Sequence, residues 1–137
     1  MPYRILAPDV VIVELNEPSG VTLQGYGLQV LELPGEQVRE VERMRVHYPK
    51  PGINDLFALV LAKATTGLLL TGDRHLREVA ENEGVKVHGT LWVLDQLVEH
   101  QTISPSVAVP ALQAMLDHGS RLPRDECQKR LASWNVD

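Results

Sequence analysis

Asp55 stands at the opening of one apolar stretch, Ile53 to Ala64, and Asp73 just beyond a second, Leu68 to Leu70. A helix that begins beside one acid, followed by a buried strand that exits beside another, can deliver both carboxylates to the carboxyl edge of a parallel sheet. Open α/β folds build their sites there. Oxygen donors of this kind suit a hard divalent cation that keeps some of its waters. Metal chemistry is therefore the first expectation from the residues alone. Each acid also has a plainer role open to it. Asp55 would be stabilised by the positive end of its helix, and the Thr71-Gly72-Asp73-Arg74 step is good capping chemistry for the helix after it.

The elements that must position these acids follow from the patterning. Arg4 to Ala7 is short and apolar, and Pro8-Asp9 starts a helical segment expected to run to about Asn16. Gly20 to Gly27 is polar and Gly-rich and reads as a loop or weak hairpin, after which Leu28 to Leu33 alternates as a half-buried strand. From Glu36 to about Arg45, Val38, Val41 and Met44 recur among charges as the inner face of an amphipathic helix. The Ile53 to Ala64 helix is apolar on nearly every side, which marks it as central. Leu68 to Leu70 shows no alternation, so a strand covered on both faces, in the middle of a parallel sheet, is expected. Asp73 to Glu83 forms the next helix, closed by Gly84. Val85 to Val87 is a strand and Leu91 to about His100 a helix. Ser104-Pro105 and Leu122-Pro123-Arg124 open two more, the last ending near Trp134. This order predicts an α/β fold of three layers, α/β/α, with a parallel sheet and a helical tail at about 104–134. No linker, repeat or low-complexity stretch divides residues 1–137, so a single domain is expected.

Composition removes several alternatives. With 44% hydrophobic and 23% charged residues the chain has the balance of a folded protein rather than a disordered one. A net charge of -5 gives no bulk basic field, so any nucleic acid must be met through local Arg and Lys, a metal or a partner's surface. The single Cys127 excludes an internal disulfide and a thiolate metal centre, which favours the cytoplasm. No apolar run reaches membrane length, and the first residues do not open a signal peptide, so no membrane association or export is expected. The five histidines show no ligand spacing.

The segments Pro8-Asp9-Val10-Val11-Ile12-Val13-Glu14-Leu15, Ile53-Asn54-Asp55-Leu56-Phe57-Ala58-Leu59, Leu69-Leu70-Thr71-Gly72-Asp73-Arg74 and Val87-His88-Gly89-Thr90-Leu91-Trp92-Val93-Leu94 together resemble the PIN domain family. Within it they resemble the small prokaryotic toxin ribonucleases of the VapC type. Order and separation fit best in the second and third segments, and the tail from Leu112 to Leu131 resembles the same subgroup. The resemblance implies a ribonuclease of single-stranded RNA that uses Mg2+ or Mn2+ held by carboxylates. Carried over by position, the metal-binding and catalytic acids are Glu14, Asp55 and Asp73, with Thr71 and Arg74 as substrate contacts. It also implies a homodimer and an antitoxin protein that covers the acidic cleft. Glu14 is equally open to being a solvated surface acid.

The chain departs from that pattern at its start. The family normally opens with a strand ending in Asp, then one or two helices, ahead of the segment that here begins at Arg4. The expectation is accordingly an N-terminally truncated PIN-like chain without the first metal ligand and without the strand placed at the sheet's centre. A start assigned too late, a truncated relative, and a shifted match with Asp9 as the first acid are the three accounts. The alternative function is a non-catalytic relative acting through dimer or antitoxin-type contacts.

Overall fold

Val41 and Met44 on one helix and Leu56 and Leu59 on another are almost wholly withdrawn from solvent, and their packing is the centre of the first half of the molecule. The computed structural model describes residues 3–16 and 18–135, and these divide into two compact units, residues 3–88 and residues 89–135.

The first unit runs β1 (Leu6–Pro8), α1 (Asp9–Ile12), α2 (Gly20–Gly25), β2 (Gln29–Leu31), α3 (Gly35–His47), α4 (Ile53–Thr65), β3 (Leu69–Leu70), α5 (Arg74–Asn82) and β4 (Val87–His88). The α3 periodicity buries Val41 and Met44 and leaves the charges between them outside, as the sequence predicts. Burying such a side chain contributes roughly 1.5–3 kcal/mol, so α3 against α4 is the main stabilising contact of this unit. α4 is central as expected, with Leu56, Leu59, Val60, Leu61 and Ala62 buried. It also touches α1, α5, β1 and β3. Its entry is fixed by Arg45, whose guanidinium donates to the Pro51 carbonyl. Gly84, at φ +76°, ends α5 in the left-handed conformation that glycine adopts without strain.

The fold class is the expected one, a mixture of helices and parallel strands, but the strands are shorter than their sequence patterns. Among the described residues they pair as two separate parallel ladders, β1 with β2 and β3 with β4. The expectation of a central strand at Leu68 to Leu70 is corrected: Leu69 is buried, whereas Leu70 is 45% exposed and β3 pairs only with β4. A run of three leucines lacks the alternation that would have separated its inward from its outward residue.

Two further expectations near the N-terminus give way. The helix from Asp9 stops at Ile12 rather than Asn16, because Val10, Val11, Ile12 and Val13 are β-branched and propagate a helix poorly. The Gly-rich stretch expected as a loop is instead α2, opened by Ser19, whose hydroxyl accepts from the Thr22 amide at 3.2 Å. Gly20 is buried against α1 there. A Cβ at that position would stand 2.3 Å from Ile12 Cγ2, a separation real atoms do not tolerate.

Glu83, at the end of α5, ties three elements together. Lys63 on α4 donates to one carboxylate oxygen at 2.8 Å and the Tyr48 hydroxyl, just past α3, to the other at 2.8 Å. The Lys63 bond first, then that from Tyr48, holds the Glu83 carboxyl below its ordinary range, against an opposing effect of burial. Because the folded chain releases this proton more readily than the unfolded one, the stabilisation is full at neutral pH and is lost as pH falls through the lowered value. Glu83→Gln is expected to cost on the order of 1 kcal/mol at pH 7. Denaturant titrations over a pH series should show that difference fading in acid, and a difference independent of pH would contradict the ionic account.

The second unit comprises α6 (Thr90–Glu99), α7 (Pro105–Asp117) and α8 (Arg124–Trp134), so the expected tail at about 104–134 is helical. Ser104 and Pro105 open α7 as expected, although the Ser104 hydroxyl bonds to that of Ser106 rather than to a backbone amide. Leu91, Leu94, Leu112 and Cys127 are buried together, with Trp134 packed against them. Arg130 on α8 grips Asp95 on α6 through two parallel bonds of 2.8 and 2.7 Å. No helix of the described residues is long and apolar enough to cross a membrane.

Candidate functional site

Gly52 is the N-cap of α4, which puts Asn54 and Asp55 at its second and third positions, where backbone amides point outward without intrahelical partners. Asp55 reaches back toward the Gly52 amide, half of a capping-box arrangement. Glu14 arrives from the turn after α1, and the Asn54 side-chain amide donates to its Oε1 at 2.5 Å. An open hollow of about 430 Å³ is lined by Glu14, Gly52, Ile53, Asn54 and Asp55.

Asp73 stands at the exit of β3. The Thr71 amide donates to the His88 carbonyl at 3.1 Å, which pins the chain to β4, and the Thr71 hydroxyl accepts from the Asp73 amide at 3.0 Å. Asp73 is the N-cap of α5, and its Oδ1 accepts from the Leu76 amide at 2.9 Å. The capping role suggested by Thr71-Gly72-Asp73-Arg74 is therefore present, and it occupies one carboxylate oxygen. Arg74 is exposed and paired with Glu78 at 3.3 Å along α5.

Electrostatics link the three acids. Burial, and after it the negative charge of Asp73, raises the Asp55 carboxyl above the ordinary carboxylate range. The Gly52 amide works in the opposite direction, and Glu14 adds a smaller upward push. Like charges are thus close enough to oppose the ionisation of Asp55. Among the described residues no Arg or Lys forms an ion pair with Glu14, Asp55 or Asp73. A donor set of carboxylate oxygens, with no cationic side chain paired to it among the described residues, fits the chemistry of a hard divalent cation. Glu14 and Asp55 share the hollow, while Asp73 acts on Asp55 without lining it. Among the described residues no three His, Cys, Asp or Glu side chains are already arranged to hold a metal ion.

Asn54 and the Gly52 amide are parts of this site that the sequence patterns do not single out. The local Gly52-Ile53-Asn54-Asp55 order carried a signal for the second, since a residue at the N-cap and an acid three positions later form a capping pair. Nothing local signalled the first, because Asn54 and Glu14 are 40 residues apart.

No curated protein and no solved structure matches the chain. The family model described as a PIN domain matches residues 2–136, so both compact units fall within one match. With nearly its whole length accounted for in this way, and with its acids at the openings of α4 and α5, the chain belongs to the PIN domain family.

Proposed function

We propose that this protein is a divalent-metal-dependent ribonuclease that cuts single-stranded RNA, as toxin nucleases of the VapC type do. Membership of the PIN family makes a nuclease the general expectation, and the family is in general dependent on divalent metals. The observation that carries the reading here is that Asp73 and Glu14 both press on Asp55 while, among the described residues, no Arg or Lys pairs with any of the three. Asp55, Glu14 and Asp73 would hold Mg2+ or Mn2+. When bound, such an ion makes a water nucleophilic and offsets charge on the scissile phosphate.

The chain's own residues supply the rest. Asp55, fixed to the N-terminus of a buried helix, presents its carboxylate at a constant position. Asp73 keeps Oδ2 available while Oδ1 serves α5. Arg74, exposed beside Asp73, would meet a phosphate on leaving Glu78. With a net charge of -5 the protein has little general attraction for RNA, so binding would depend on the ion and on such local cations. A homodimer and an antitoxin covering the acidic hollow belong to the same proposal, as does the treatment of residues 1–137 as one domain.

The test is incubation of the purified chain with labelled single-stranded RNA and single-stranded DNA, with Mg2+, Mn2+ or EDTA. Cleavage of the RNA that requires added metal and is abolished by EDTA is the expected result. A folded chain that binds Mn2+ but cuts neither polymer would favour the alternative of a non-catalytic relative working through protein contacts.

A further inference from the structure

We propose that Asn54 is a positioning residue for the acidic site, holding Glu14 so that one of its carboxylate oxygens is left for a cation. This rests on the metal-dependent reading above. Glu14 lies in an exposed turn beyond a four-residue helix; its amide donates to the Val11 carbonyl at 3.1 Å, while the residue itself stands exposed at the surface. Asn54 is half-buried, on a helix packed by α1, α3 and β1. The 2.5 Å bond from its Nδ2 to Glu14 Oε1 therefore couples the least anchored acid to the most firmly held element of the unit.

The type of side chain matters as much as its place. An Arg or Lys at position 54 would cancel the Glu14 charge and compete with a cation. An aliphatic residue would leave Glu14 free to turn outward, and the rotamer freedom lost on binding would then count against the ion. A neutral amide holds one oxygen and leaves both the negative charge and Oε2. Hydrogen bonds that orient ligating carboxylates in this way typically change metal affinity by 10- to 100-fold.

Mn2+ titrated calorimetrically into the full chain, Asn54→Ala, Glu14→Ala and the double variant tests this, with circular dichroism confirming that each is folded. Asn54→Ala is expected to weaken Mn2+ about tenfold, and to have no further effect once Glu14 is already alanine. Asn54→Ser, which keeps a shorter donor, should fall between wild type and Asn54→Ala. That non-additivity is a readout that a general loss of helix stability would not produce. Unchanged affinity in Asn54→Ala, or an equal loss in both backgrounds, overturns the role of Asn54 while leaving the metal site standing. Absence of Mn2+ binding in the folded wild-type chain overturns the metal-dependent reading and this inference with it.

Discussion

Asp55→Asn is expected to remove saturable Mn2+ binding and metal-dependent RNA cleavage, each by at least about 100-fold, and at the same time to make the metal-free protein more stable. The first effect follows from deleting a negative donor of the proposed site, since an amide offers one weaker oxygen and no charge. The second follows from the surroundings of Asp55. Burial and the Asp73 charge raise its carboxyl above the ordinary range, so the folded chain binds this proton more tightly than the unfolded chain. Stability from this group therefore falls as pH rises from the ordinary carboxylate range through the raised value, and above it the full penalty remains. Asparagine is not subject to that penalty and can still accept from the Gly52 amide. A rise of a few degrees in the unfolding midpoint at pH 7, shrinking toward zero below the ordinary carboxylate range, is the outcome to look for. Melts across a pH series and one calorimetric titration measure both effects. Unaltered Mn2+ affinity would remove Asp55 from the proposed site, and a lower midpoint at neutral pH would contradict the electrostatic account.

Leu59→Ala is expected to have the largest effect on stability, about 2–5 kcal/mol. Leu59 is 0% exposed, in the middle of α4, and belongs to the cluster that includes Val41, Met44 and Leu56. Removing its branched end leaves a cavity that two packed helices cannot easily close. Against a typical total of about 5–15 kcal/mol, such a loss leaves a substantial unfolded fraction at 37 °C. Denaturant unfolding should show a lower midpoint with a similar slope, the signature of changed stability rather than a changed native surface. A loss below about 1 kcal/mol would mean that α3 and α4 do not form the principal core of this unit.

The features legible in the sequence were those written over three or four neighbouring residues. Val38, Val41 and Met44 disclosed the inner face of α3, and the near-continuous apolar run disclosed α4 as central. Thr71-Gly72-Asp73-Arg74 disclosed the cap of α5, now visible as the bond from the Leu76 amide to Asp73. What stayed hidden depends on partners distant in sequence. α2 was masked by its glycines, although Gly20 is there because Ile12 leaves no room for a Cβ. The sequence of β3 reads as that of a central strand because leucines on its two faces look alike until exposure separates Leu69 from Leu70. In the site, the acids could be located one by one, whereas the Asn54 bond to Glu14 joins segments that no local pattern connects.

The two-residue pairing of β3 with β4 has a consequence for motion. In a parallel ladder alternate residues turn their amides to opposite sides. The Leu69 and Thr71 amides are bonded to Lys86 and His88 at 2.9 and 3.1 Å, and Leu70 between them faces away from β4. Little therefore has to break for this strand to open, whereas releasing the start of α4 means disrupting the helix that the core encloses. The acids consequently belong to regions of different opening free energy. Asp55 is carried by the start of α4, and Asp73 by the junction between a short ladder that can yield by itself and α5, whose Leu76, Val79 and Ala80 are buried. Brief local opening of that ladder would free Thr71 from His88 and leave Asp73 held by α5 alone, so the spacing of the charged groups then rests on how firmly α5 stays packed on α4.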